Sequence, residues 1–254
     1  MKTALITGGS SGIGLGIARS FSQKGYRCYL AGLESNGNEI AAALEKESGH
    51  PVHFLSVDIS NYETVRQMVA EILSKHPIEV LINNAGIQHV SPIEDFPVDR
   101  WKKIIDVNLN GAFYCCREVF ADMKKRNFGR IINLVSAHGI VASEFKSAYV
   151  SAKHGLIGLT KVLALEGATC GITANAICPG YVKTPLVEKQ IADTALAHNI
   201  SQERVEAEIM LIKQPVKKFV DIETLASMAL LLADEKSGSI TGASWTADGG
   251  WTAQ

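Results

Sequence analysis

Tyr149 and Lys153 stand four residues apart in Ser147-Ala148-Tyr149-Val150-Ser151-Ala152-Lys153, and Ser136 ends the apolar run Arg130-Ile131-Ile132-Asn133-Leu134-Val135 thirteen residues before the tyrosine. Residues i and i+4 share one face of a helix. The spacing sets a phenol beside an ammonium, and a serine at the end of a buried strand can meet them. To serve as a base near neutrality, a phenol of pKa about 10 must be lowered by roughly 3, or about 4 kcal/mol. One cation at about 4 Å supplies on the order of 4 kcal/mol at an effective dielectric near 20. The trio therefore predicts proton transfer at Tyr149, with Lys153 depressing its pKa. An ordinary amphipathic helix also carries such pairs, so the elements that would position them must decide.

The chain has 254 residues, 46% hydrophobic and 20% charged, an ordinary globular composition with room for one large α/β domain or two small ones. A formal net charge of −1 argues against nucleic acid as the main partner. No apolar run reaches the length of a membrane span. Met1-Lys2-Thr3-Ala4-Leu5-Ile6-Thr7-Gly8 enters a strand and a glycine turn directly, without the apolar region of a signal peptide. Five cysteines without a C-x-x-C pair read as reduced thiols of a cytoplasmic protein. Cys115-Cys116 read as core. His50 and His53 lack further ligands at metal-binding spacing, and no metal site is expected.

Short apolar runs at 4–7, 27–31, 52–57, 80–83, 130–135, 173–178 and 244–247 alternate with helical patterns at 12–24, 38–48, 62–75, 99–126, 147–168 and 222–232. The runs mostly end in Gly, Asn, Asp or Ser, as buried parallel strands do. Strand-helix alternation predicts an α/β fold, a Rossmann-like doubly wound parallel sheet. With no repeat or linker, residues 1–254 read as a single domain. Residues 185–214 break the rhythm. They are helical, polar and bounded by Pro185 and Pro215. Placed after a strand's C-terminal end, where α/β ligands bind, they read as a small helical lid or as a plain surface hairpin.

The first strand feeds Thr7-Gly8-Gly9-Ser10-Ser11-Gly12-Ile13-Gly14. The spacing is G-x-x-x-G-x-G, not G-x-G-x-x-G. The physics is shared: glycines admit a pyrophosphate, and the helix N-terminus offers free N–H groups. The second strand ends Gly32-Leu33-Glu34 with no neighbouring Arg or Lys to neutralise a 2′-phosphate, which favours NAD over NADP. Asp58 and Ile59 suit the adenine end, and Asn83-Asn84-Ala85-Gly86 suits the ribose.

Taken in order, the Thr7-Gly8 loop, Asn83-Asn84-Ala85-Gly86, Asn108, Ser136, Tyr149 with Lys153, and Pro179-Gly180-Tyr181-Val182-Lys183-Thr184 resemble the short-chain dehydrogenase/reductase family over almost the whole chain. The resemblance implies an NAD-dependent oxidoreductase assembled as a homotetramer. It implies Tyr149 as proton-transferring base and Lys153 as the group that holds the nicotinamide ribose and lowers the tyrosine. Ser136 would orient the reacting oxygen, and Asn108 would support a water-linked relay. Cofactor contacts would come from Gly8, Ser10, Ser11, Gly12, Ile13, Gly14, Leu33, Asp58, Ile59, Asn84, Ala85 and Gly86. Tyr149, Lys153, Pro179, Gly180, Val182 and Thr184 would complete them.

Further segments, among them Gly86-Ile87-Gln88-His89, Ser136-Ala137-His138-Gly139, Thr184-Pro185-Leu186-Val187-Glu188-Lys189-Gln190 and Asp248-Gly249-Gly250-Trp251, are similar to the branch of that family acting on short D-3-hydroxy acids. That similarity implies Gln88, His138, Lys146 and Gln190 around a substrate carboxylate, with Trp251 near the methyl end. The end of the second strand differs in detail from that branch. The chemistry agrees: a small β-hydroxy acid needs one cation and neutral donors near the serine and tyrosine, and charge-assisted bonds are the strong ones. The expected reaction is reversible oxidation of (R)-3-hydroxybutyrate to acetoacetate. Two alternatives stay open: an NADPH-dependent reductase of 3-oxoacyl thioesters, and a dinucleotide-binding regulator without chemistry.

Overall fold

In the computed structural model the seven apolar segments pair into one parallel sheet. The strands are β1 (Thr3–Thr7), β2 (Arg27–Gly32), β3 (Val52–Ser56), β4 (Val80–Asn83), β5 (Gly129–Leu134), β6 (Ile172–Pro179) and β7 (Ser244–Ala247), in the order β3-β2-β1-β4-β5-β6-β7. The structure describes residues 1–253, and the side chains of all of these but Leu186, Lys189, Gln190, Asp193, Thr194, Ala197 and His198. β1, β4, β5 and β6 are buried along their whole length, because helices cover both faces.

Successive strand residues point to opposite faces, and Leu5 and Ile6 accordingly join different cores. Ile6 packs with Ile17 and Phe21 of α1 (Gly12–Gln23), Leu44 of α2 (Gly37–Ser48) and Leu225 of α9 (Ile222–Ala233). Leu5 packs with Val65 of α3 (Tyr62–Leu73), Val119 and Met123 of α5 (Gly111–Arg126), and Leu163 of α6 (Ser147–Gly167). The chain leaves β1 toward β2 and β3, then returns to start β4 on the other side of β1. Thr7 therefore lies beside both Ala31 and Asn83. This is the switch point at which α/β sheets open a ligand crevice.

The expected strands and helices appear with ends shifted by a residue or two, except in one place. The pattern over 99–126 reads as one helix but forms α4 (Val98–Ile105), a π-helical turn (Asp106–Asn110) and α5. Hydrophobic periodicity does not register a single widened turn. What fixes it is tertiary: the Asn108 amide donates to Ile87 O at 2.9 Å and accepts from Ile87 N at 2.8 Å.

The 185–214 segment is helical, as expected. It contains α7 (Pro185–His198), the single turn α8 (Gln202–Arg204), a second π-helical turn (Val205–Met210) and a 3-10 turn (Leu211–Lys213). Thr184 caps α7 by accepting from Val187 N, and Pro185 occupies its first turn. Ile191, Ala195, Val205, Met210 and Leu211 form a small core of their own, against which Tyr181 and Phe219 pack. Among the described residues no helix is long and apolar enough to cross a membrane.

Candidate active site

The β1 end is stitched to the turn after β4 by hydrogen bonds of two side chains, Thr7 and Asn84, with the main chain. Thr7 Oγ1 accepts from Asn84 N at 3.0 Å and Ala85 N at 3.1 Å, and Asn84 Nδ2 donates to Thr7 O and Gly8 O, both at 3.0 Å. Gly8 has φ +62°, a conformation that side chains strain to adopt. A Cβ on Gly14 would lie 2.1 Å from Gly8 O and 2.5 Å from Asn84 Nδ2. The cradle is thus closed to any added atom from behind and open in front.

In front lies a cavity of about 390 Å³, walled by Gly8, Ser11, Gly12, Ile13, Leu33, Asp58, Ile59, Asn84, Ala85 and Gly86. A cavity of this size, walled mainly by backbone and apolar side chains beside the N-terminus of α1, fits an extended dinucleotide. Two expected contacts lie elsewhere. Gly14 supports the loop from behind. Ser10 is buried, and its Oγ donates to Glu34 Oε2 at 2.6 Å. A serine in so tight a turn faces the nearest acceptor, and that acceptor is the β2-end carboxylate.

Glu34 and Lys103 also line this cavity. Burial pushes Glu34 up, but the Ser10 hydroxyl, local amides and the Ser11 hydroxyl outweigh it and leave the carboxyl lowered. Lys103 donates to Asp58 Oδ2 at 3.1 Å and Ser60 Oγ at 2.8 Å. It stands 45 residues beyond Asp58 and farther still from Gly32-Leu33-Glu34, where it left no mark in the local sequence.

A second cavity, of about 170 Å³, continues from the first and shares Ile13, Asn84, Gly86, Ile87 and Thr184 with it. Ser136, Tyr149 and Lys153 line it, together with Gln88, His138, Lys146 and Trp251, and Pro179, Gly180 and Val182 form its far wall. Asn108 sits behind the wall and holds Ile87 in place. The side chain of Gln190 lies outside the described residues.

The expected electrostatics at Tyr149 are reversed. Burial pushes the phenol up to about 12, and the facing Ser136 hydroxyl recovers only part of that. Lys153 is buried and donates to Leu134 O at 2.7 Å, 5.6 Å from the Tyr149 ring centroid. Burial also lowers this ammonium, to about 8. The helical spacing brings the two groups together as expected, but desolvation outweighs their attraction while the phenol is neutral.

His138 was expected to offer a ring N–H to a carboxylate. Instead Nδ1 faces Ser136 Oγ at 3.4 Å and Nε2 faces Ser143 Oγ at 2.9 Å. Burial, then the charges of Lys146 and Lys213, press it down to about 3, so the ring is neutral. The ring stands edge-on to Trp251, with centroids 4.9 Å apart. Tyr181, whose role the sequence does not reveal, stacks on Trp251 at 5.7 Å and accepts from Lys146 Nζ at 3.3 Å. Its N–H donates to the buried Gln214 Oε1 at 2.7 Å. Trp251 itself is set by Asp248, whose carboxylate accepts from Gly250 N, Thr252 N and Thr252 Oγ1.

The family model for short chain dehydrogenases matches residues 2–195. D-beta-hydroxybutyrate dehydrogenase of Rhizobium meliloti (strain 1021) is 49% identical, with 100% of this chain and 99% of the relative aligned. The enzyme of that name from Cupriavidus necator is 45% identical over 100% of this chain and 98% of the relative. Acetoacetyl-CoA reductase of Rhizobium meliloti (strain 1021) is 36% identical over 98% of both. Among solved structures, a point variant of actinorhodin polyketide ketoreductase with NADPH superposes with TM-score 0.93 at 29% identity, covering 100% of this chain and 98% of that one.

Proposed function

The chain belongs to the short chain dehydrogenase family, and from that premise we propose that it catalyses reversible hydride transfer from C3 of (R)-3-hydroxybutyrate to NAD⁺, giving acetoacetate. One observation carries the reading: a cation, Lys146, and an amide, Gln88, share a cavity of only about 170 Å³ with Ser136 and Tyr149. A short acid with a carboxylate two bonds from its carbinol carbon matches that arrangement. The two relatives named D-beta-hydroxybutyrate dehydrogenase support it more strongly than the acetoacetyl-CoA reductase.

When bound, NAD⁺ supplies the hydride acceptor. The glycine loop, Asp58, Ile59, Leu33 and the Asn84-Ala85-Gly86 turn would hold it, with Lys153 and Thr184 at the inner end. The Glu34 carboxylate, kept ionised at the mouth, would repel a 2′-phosphate, which favours NAD. Lys103 offers little relief, since Asp58 neutralises it.

Lys146 and Gln88 fix the carboxylate, and that orientation selects one face of the carbinol. Ser136 holds the hydroxyl oxygen while Tyr149 takes its proton. Removing the phenol's proton beside a charged Lys153 creates an ion pair in which each charge offsets the other's desolvation, so the two pKa values converge from about 12 and about 8. The 185–214 segment would close over the acid. The exposed Trp101, Phe113 and Leu165 on α4, α5 and α6 support assembly into a homotetramer, which sedimentation of the purified protein would test.

The central test mixes the protein with NAD⁺ or NADP⁺ and each enantiomer of 3-hydroxybutyrate and follows reduced-nicotinamide absorbance. NADH formation with the R enantiomer alone is expected. Silence with both acids, together with turnover of acetoacetyl-CoA and NADPH, would overturn the proposal.

A further inference from the structure

Ser143 lies in the loop before α6. Its Oγ stands 2.9 Å from His138 Nε2 and 3.0 Å from Lys213 Nζ. Lys213 ends the 3-10 turn that closes the 185–214 segment, seventy residues further on. At the other edge of the ring, Ser136 Oγ accepts from the His138 backbone N–H at 3.2 Å and faces Nδ1 at 3.4 Å.

Heavy atoms leave the tautomer of a histidine open, so the hydrogens must be counted. An ammonium has three hydrogens and no lone pair, so Lys213 can only donate to Ser143. Ser143 keeps its hydrogen and a second lone pair, but a hydroxyl that accepts from an ammonium is polarised toward donating, and the acceptor facing it is Nε2 at 2.9 Å. A neutral imidazole carries one N–H, which then sits on Nδ1 and points at Ser136 Oγ. His138 thereby fills both lone pairs of Ser136, and the one Ser136 hydrogen is left for the oxygen atoms in front of it. In the opposite tautomer Nδ1 presents a lone pair and competes for that hydrogen.

We propose that Ser143 and Lys213 are positioning residues: by holding His138 as the Nδ1–H tautomer they aim the Ser136 hydroxyl at the reacting oxygen. The proposal rests on the hydride-transfer reading of the site. It also ties the seating of the 185–214 segment to the hydrogen pattern at Ser136, because Lys213 belongs to that segment.

The test begins with the ring itself. Nitrogen-15 spectra of the full chain labelled at histidine, assigned with His138→Gln, should show Nδ1 protonated and Nε2 bare. Ser143→Ala should move the proton to Nε2. An Nε2–H ring in the unaltered protein overturns the proposal, whatever the activity. Kinetics with (R)-3-hydroxybutyrate and NAD⁺ form the second arm. Ser143→Ala and Lys213→Met should each lower kcat on the order of tenfold, the scale of a modest misorientation, with KM for NAD⁺ unchanged. Ser143→Thr, which keeps the hydroxyl, should restore kcat. A threonine variant no better than alanine would reduce Ser143 to packing and overturn the proposal. If the unaltered protein turned over neither acid, the proposed reaction would fall, and the nitrogen spectra alone would decide the tautomer.

Discussion

At the β1–β4 end of the cleft the walls are mainly main chain, packed glycine and apolar side chains; at the β5–β6 end they are the tips of Lys146, Gln88, His138, Tyr181 and Trp251. The first end takes its shape from strand register, and nothing can be added behind it without moving the sheet. The second takes its shape from hydrogen bonds and ring contacts between residues far apart in the chain. Side-chain tips can be exchanged while the sheet stays as it is. That difference gives a physical reason why relatives carrying hydroxybutyrate and acetoacetyl-CoA names share one fold across the whole chain.

The largest effect should come where the two ends meet. Tyr149→Phe removes the proton acceptor, and kcat should fall about 10³-fold, within the usual range for general bases, while titration calorimetry still shows NAD⁺ binding. Next, Lys146→Met should raise KM for the acid by about tenfold to a hundredfold, as expected for one charged hydrogen bond. Its Kd for NAD⁺ should not move; a parallel loss of NAD⁺ affinity would dissolve the distinction between the ends. Gly14→Ala attacks the main-chain end. Its methyl would meet Gly8 O at 2.1 Å, so chemical denaturation should show a loss of about 1–3 kcal/mol together with weaker NAD⁺ binding.

The last effect concerns pH. The folded protein holds His138 at about 3, against 6.5 unfolded. Between these values the unfolded chain binds a proton that the native ring refuses. Stability from this group is therefore complete above pH 6.5 and is lost as pH falls toward 3, at up to about 1.4 kcal/mol per pH unit. His138→Asn should flatten the stability curve between pH 4 and 6. An unchanged slope in that variant would mean the ring does not control it.

The main-chain end was the more legible in sequence. Buried parallel strands announce themselves as apolar runs with polar ends, and glycine spacing marks the loop because glycine adopts the φ +62° of Gly8 without strain. The Ser136, Tyr149 and Lys153 trio was legible for a similar reason, since helical spacing is local. What escaped was set by tertiary contact. Lys103 reaches Asp58 across 45 residues, Lys213 reaches Ser143 across 70, and Tyr181 turns inward because Gln214 holds its amide. The direction of the Tyr149 shift escaped as well. Coulombic attraction can be anticipated from spacing, whereas the opposing desolvation depends on everything packed around the ring.

The π-helical turn at Asp106–Asn110 carries a consequence for mutational tolerance. Such a turn holds one residue more than an α turn. Losing any single codon within it would let the chain run as unbroken α-helix from Val98 onward, with better local hydrogen bonding than before. The extra residue is what the widened turn absorbs, so losing it keeps α4 and α5 in phase, and Cys115, Cys116, Val119 and Met123, all buried, stay in the core. What would be lost is the place from which the Asn108 amide holds Ile87. An in-frame deletion here should therefore leave the fold near its normal stability while activity falls.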